Sequence, residues 1–121
     1  MDFWQILGNH DYYWNATAQI IYSNLMETNF AFPWFWYTLE SEKNSNLSLK
    51  VIFIDTMIMM NDELTHTLPN YEKYDYINEQ EKFLIAELAA CSATYCLVGR
   101  YLQYSIRRII FNLWACLCSE T

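Results

Sequence analysis

Four consecutive residues, Gly8-Asn9-His10-Asp11, carry the side chains best suited to chemistry. An amide oxygen, an imidazole and a carboxylate in a row can supply a metal ligand, a proton donor and an orienting group. The same residue types also make ordinary polar turns, because Asn and Asp hydrogen-bond their own backbone. Context brings the chemical reading level with the polar turn. Phe3, Trp4, Ile6 and Leu7 come just before and predict a short buried strand with one polar interruption. Gly8 is expected to end that strand, since glycine permits the positive φ and close backbone approach of a sharp exit turn. Asn9, His10 and Asp11 would then stand at the carboxyl end of a strand, the edge of an α/β sheet where ligands bind.

The elements that must position this turn follow from periodicity. Thr17 to Met26 predicts a helix with Ala18, Ile21, Tyr22 and Leu25 on its apolar face and Asn15 or Thr17 as its cap. Residues 27 to 34 read as a loop. Trp34 to Leu39 and Leu49 to Thr56 predict a hairpin around the polar turn 40–48. Val51, Ile52, Phe53 and Ile54 form a continuous apolar run, the pattern of a strand buried on both faces. Residues 57 to 77, which include His66, read as an irregular surface loop rather than a cofactor box. Asn78 followed by Glu81 predicts a helix start, and Phe83, Leu84, Leu88 and Cys91 its apolar face as far as about Ala93. Thr94 to Val98 predicts a third buried strand, ended by Gly99. The expected fold class is α/β, a mixed sheet with flanking helices.

Composition sets bounds on function. With 54% hydrophobic residues in 121, the chain is built for a core, not for disorder. Fourteen acids against seven bases give a net charge of -7. That disfavours a nucleic acid or an anionic membrane as partner, since both need Lys and Arg. Cys91, Cys96, Cys116 and Cys118 form no Cys-x-x-Cys pair and have no nearby His, so a zinc knuckle is not expected. For Cys91 and Cys96 a free buried thiol is the common case, and spacing decides no disulfide. Asn15-Ala16-Thr17 and Asn46-Leu47-Ser48 are glycosylation sequons. Met1-Asp2-Phe3-Trp4 lacks the basic and apolar regions of a secretory signal. Sequons without a signal suggest a chain missing its natural beginning. Ile106, Ile109, Ile110, Leu113, Trp114 and Leu117 recur at helical spacing, which predicts an amphipathic tail helix too short to span a bilayer. Its expected use is to cover an exposed sheet face.

Several of these stretches together resemble the purple acid phosphatases of the calcineurin-like metallophosphoesterase superfamily, most closely the small tartrate-resistant type. The likeness runs through Gly8-Asn9-His10-Asp11-Tyr12-Tyr13, Asn15-Ala16-Thr17-Ala18-Gln19-Ile20, Phe32-Pro33 and Tyr37-Thr38-Leu39. It continues with Val51-Ile52-Phe53-Ile54-Asp55-Thr56, Glu79-Gln80, Leu88-Ala89-Ala90 and Leu97-Val98-Gly99, and fades at Tyr104-Ser105-Ile106. Residues 1–106 would be a partial metallophosphoesterase domain and 107–121 a divergent tail. The resemblance implies a fragment of the family's four-layer α/β/β/α sandwich and a secreted or lysosomal glycoprotein. The activity implied is acid phosphatase, a metal-dependent hydrolase of phosphate monoesters.

That family uses a ferric ion and a divalent iron, zinc or manganese to polarise the ester and activate a water. By resemblance, Asn9 would give its oxygen to the divalent metal and His10 would be catalytic, contacting phosphate or protonating the leaving group. Asp11 would be their orienting neighbour, and Asn15, like Asn46 by its sequon, a glycosylation site. The departures are severe. The strands that supply the bridging carboxylate and a tyrosinate have no counterpart here, nor does the closing Gly-His-x-His. Where another metal histidine belongs the chain has Arg100, a lost-ligand position, because guanidinium offers no lone pair. Arg100 could pair with a phosphate oxygen or simply face solvent or Asp11. The expectation is a chain that does not retain the dinuclear centre and is inactive alone. The alternative is a non-catalytic binding or regulatory fragment, associating with itself or another subunit through unpaired strands or the tail.

Overall fold

The computed structural model describes residues 2–26, 29–41 and 47–101. The tail stripe from Ile106 to Leu117, the sequon residue Asn46, and Cys116 and Cys118 lie outside them.

The opening strand is shorter and barer than expected. β1 is only Phe3–Trp4, and it pairs in parallel with β2, Phe30–Ala31, inside the stretch read as loop. Phe3 and Trp4 are both exposed, while Leu7 beyond them is buried. Gly8 has an extended backbone with φ -94°, so no left-handed turn is needed there. Its amide instead donates to Asp11 Oδ2 at 2.8 Å, which starts a 3-10 helix over Asn9–Tyr13.

α1, Ala16–Leu25, forms where periodicity places a helix, but its outward side is the one read as apolar face. Ala16 and Ile20 are buried, whereas Ala18, Ile21, Tyr22 and Leu25 are exposed. The core selects the other side because Leu7, Tyr12, Phe32 and Phe35 cluster with Ala16 and Ile20. No side chain caps its first turn; the Thr17 hydroxyl donates back to Asn15 Oδ1 at 2.6 Å.

The hairpin forms as expected from β3, Tyr37–Glu40, and β4, Leu49–Ile54, antiparallel with Tyr37 opposite Phe53. β4 alternates rather than burying both faces equally. Lys50, Ile52 and Ile54 are fully covered, and Ile52 and Ile54 pack on Leu84, whereas Val51 and Phe53 are half-buried. Lys50 survives burial by pairing with Glu87 at 2.6 Å and Glu40 at 3.2 Å, and the Glu87 hydrogen bond holds its pKa above the usual lysine value. Trp34, Phe35 and Trp36 precede β3 as a bend, not a strand, and pack on Tyr76 in an aromatic core, Trp34 stacked and Phe35 and Trp36 edge-on.

Residues 57–77 are not one loop. α2, Thr56–Met60, and α3, Asp62–Thr65, form there, because Asp55 and Asn61 each accept backbone amides as caps. α4, Tyr76–Ala89, begins before Asn78, since Asp75 Oδ1 accepts the Asn78 amide and so is the cap. β5, Tyr95–Arg100, then joins β4 in parallel and completes a three-stranded sheet in the order β3-β4-β5. Among the described residues it is an edge, and Tyr95, Leu97 and Val98 are exposed instead of buried. Gly99 lies inside the strand, opposite Phe53; a Cβ there would meet that ring at 2.8 Å. Cys91 and Cys96 are joined in a disulfide, not free, and tie the end of α4 to β5.

Candidate functional site

The turn holding Asn9, His10 and Asp11 is fixed from three directions. Asp11 closes the turn on Gly8 and accepts Gln19 Nε2 on Oδ1 at 2.6 Å, which ties it to α1. Tyr12 points inward, and its buried hydroxyl donates to Asp55 Oδ2 at the end of β4. Tyr101, just past β5, donates its hydroxyl to Asn9 Oδ1 at 2.9 Å. The Tyr101 ring lies 3.4 Å from where a side chain on Gly8 would begin, and its carbonyl accepts the Thr56 hydroxyl at 2.5 Å. Two strand ends and the turn are thereby pinned at one place.

Asp55 is the buried hub. Its Oδ1 accepts the amides of Met57 and Ile58 at 2.9 and 3.3 Å, which caps α2. Gln80 of α4, wholly buried, grips the Asp55 backbone at two points: Oε1 accepts its amide at 2.5 Å and Nε2 donates to its carbonyl at 2.9 Å. Desolvation is the largest influence on Asp55 and outweighs its three hydrogen bonds, which lifts its pKa to about 6. The Tyr12 phenol is also pushed up, first by burial and then by the adjacent Asp55 carboxylate. Burial likewise lifts Tyr37, whose hydroxyl donates to the Gln5 carbonyl at 2.6 Å, to about 12.

Of the residues singled out by type, the turn gathers Asn9, His10 and Asp11 and leaves the rest apart. His10 is exposed, with its ring 5.1 Å from that of Tyr13. Arg100 is half-buried at the end of β5, opposite Ile54, and makes no ion pair with any described residue. Both oxygens of Asp11 are engaged by Gly8 and Gln19. His66 lines a different cavity of about 370 Å³ with Asp62, Tyr71 and Tyr74. Asn15 is exposed at the start of α1 beside the equally exposed Trp14.

This donor set does not suit a dinuclear metal centre. The Asn9 amide oxygen accepts the Tyr101 hydroxyl and is one donor only, where a two-metal site needs several more. Among the described residues, no three of His, Cys, Asp and Glu lie together as a metal ligand group. Reading by residue type missed Tyr12, Asp55, Gln80 and Tyr101 as the parts that hold the turn. All but Tyr101 lie within the stretches quoted above for the resemblance, which named them without giving them this role.

No protein-family profile matches the chain. It is 30% identical over 109 residues to the rat tartrate-resistant acid phosphatase type 5, covering 85% of this chain. It spans 33% of that enzyme's length. Among solved structures it is similar to GAP50, described as the anchor in the inner membrane complex of Plasmodium. The TM-score is 0.71 at 20% identity, over 96% of this chain and 40% of GAP50. The mixed α/β arrangement thus fits a portion of the metallophosphoesterase fold. The sequence likeness is a distant one, to an acid phosphatase over part of its length. Among the described residues, no helix is long and apolar enough to cross a membrane.

Proposed function

We propose that this chain is a partial-length relative of the purple acid phosphatases, and that on its own it does not hydrolyse phosphate monoesters. The collinear likeness to an acid phosphatase supports the kinship. The observation that carries the inactivity is that, among the described residues, no three of His, Cys, Asp and Glu gather as the ligand group a two-metal site needs. By that kinship His10, exposed on the turn, would be the imidazole that faces the phosphate. Arg100 stands where a further metal ligand would be needed. Kinship also implies a secreted or lysosomal setting, with glycan on Asn15 and Asn46.

The test is p-nitrophenyl phosphate hydrolysis by the purified chain at acid pH with iron and zinc supplied. The expected rate equals that of the His10→Ala variant. Turnover present in the natural chain and lost in His10→Ala would overturn the inactivity. A second reading, a non-catalytic binding fragment, draws support from the apolar side chains exposed on α1, β1 and β5.

A further inference from the structure

The apolar side of α1 faces outward onto a groove. Gln5, Ala18, Gln19, Tyr22 and Phe30 line a largely apolar cavity of about 460 Å³ between α1 and the β1–β2 pair. Ile21 and Leu25 extend the same side of the helix, and Leu25 is 78% exposed. Apolar surface gathered in a concave site marks a place meant to be covered.

We propose that the groove is covered by the chain's own C-terminal segment, through the stripe Ile106, Ile109, Ile110, Leu113, Trp114 and Leu117. The starting point of that segment favours it. Tyr101, the last described residue, is held against Gly8 and Asn9, just beyond the groove residue Gln5. Residues 102–105 can reach about 13 Å when extended. A helix over the stripe would measure about 18 Å, against roughly 15 Å for α1. Two apolar helix faces of similar length bury one another well, ridges into grooves. The exposed side chains near the start of β5 compete poorly as a dock. The tail leaves from the opposite end of that strand. The proposal stands apart from the phosphatase reading, since it needs neither metal nor phosphate.

The full chain carrying Tyr22→p-benzoylphenylalanine tests it, with Tyr95→p-benzoylphenylalanine as the comparison. After irradiation, mass spectrometry should place the Tyr22 crosslinks within residues 106–117 of the same molecule, and the Tyr95 crosslinks elsewhere. Crosslinked dimers, crosslinks from Tyr22 to other segments only, or tail crosslinks from Tyr95 alone would overturn it. In a second measurement, Leu113→Glu with Trp114→Glu should abolish those crosslinks. It should also raise the fluorescence of a dye that binds exposed apolar surface, roughly two-fold or more. Unchanged dye binding would equally count against the tail as the cover.

Discussion

Asp55→Asn tests the reasoning about the buried hub most directly. The folded chain holds the Asp55 proton to about pH 6, against an ordinary value of 3.8. A carboxyl whose pKa is raised by folding adds stability that is complete below its unfolded value. That stability is lost as pH rises through the folded one. At about 1.36 kcal/mol for each pH unit between the two values, the contribution is on the order of 3 kcal/mol. Roughly 2 kcal/mol of it disappears between pH 4 and pH 7. Asparagine cannot ionise, but it keeps an oxygen for the amides of Met57 and Ile58. The other carboxyl groups are the same in both chains, so the difference between their pH slopes isolates Asp55. Urea unfolding of both chains across that range, at fixed salt, provides the measurement. The natural chain should lose about 2 kcal/mol more than Asp55→Asn as pH rises. Equal slopes would refute the claim that burial, rather than hydrogen bonding, governs this carboxyl.

Three further outcomes follow from particular contacts. Gln80→Ala leaves the amide and carbonyl of Asp55 buried without partners, and should cost about 2–5 kcal/mol in urea unfolding. Gly99→Ala drives a methyl group into the Phe53 ring, itself stacked on Tyr37 at 4.8 Å. It should cost about 1–3 kcal/mol, with the midpoint lowered in thermal melts. Expressed through a secretory route, the chain should carry a glycan at Asn15 that Asn15→Gln removes, visible as a mass shift.

How much could be read beforehand depended on the range of the interaction. The β3–β4 hairpin was legible because two β-rich runs flank a polar turn. α4 was legible because its apolar spacing continues for several turns, although its cap was placed three residues late. α2 and α3 were missed because helices of 5 and 4 residues are too short to show a period. Periodicity revealed an apolar stripe on α1, but not which side the core would take, since Ile20 won that place through Leu7, Phe32 and Phe35. β5 read as buried because its residues are apolar, yet burial needs a neighbour and none is described beyond its outer edge. At the turn, residue types pointed to Asn9, His10 and Asp11. The hydroxyl that occupies Asn9 comes from a residue no local pattern connects to it.

The anchors of that turn are spread widely along the chain. Tyr12 waits for a partner 43 positions later and Asn9 for one 92 positions later. During synthesis, which runs from the amino end at about 5–20 residues per second, the motif emerges before its clasps and stays without them for several seconds. A peptide copied from the first thirty or so residues would carry the signature without its shape. The smallest unit able to display this turn therefore extends from its first residues through Tyr101.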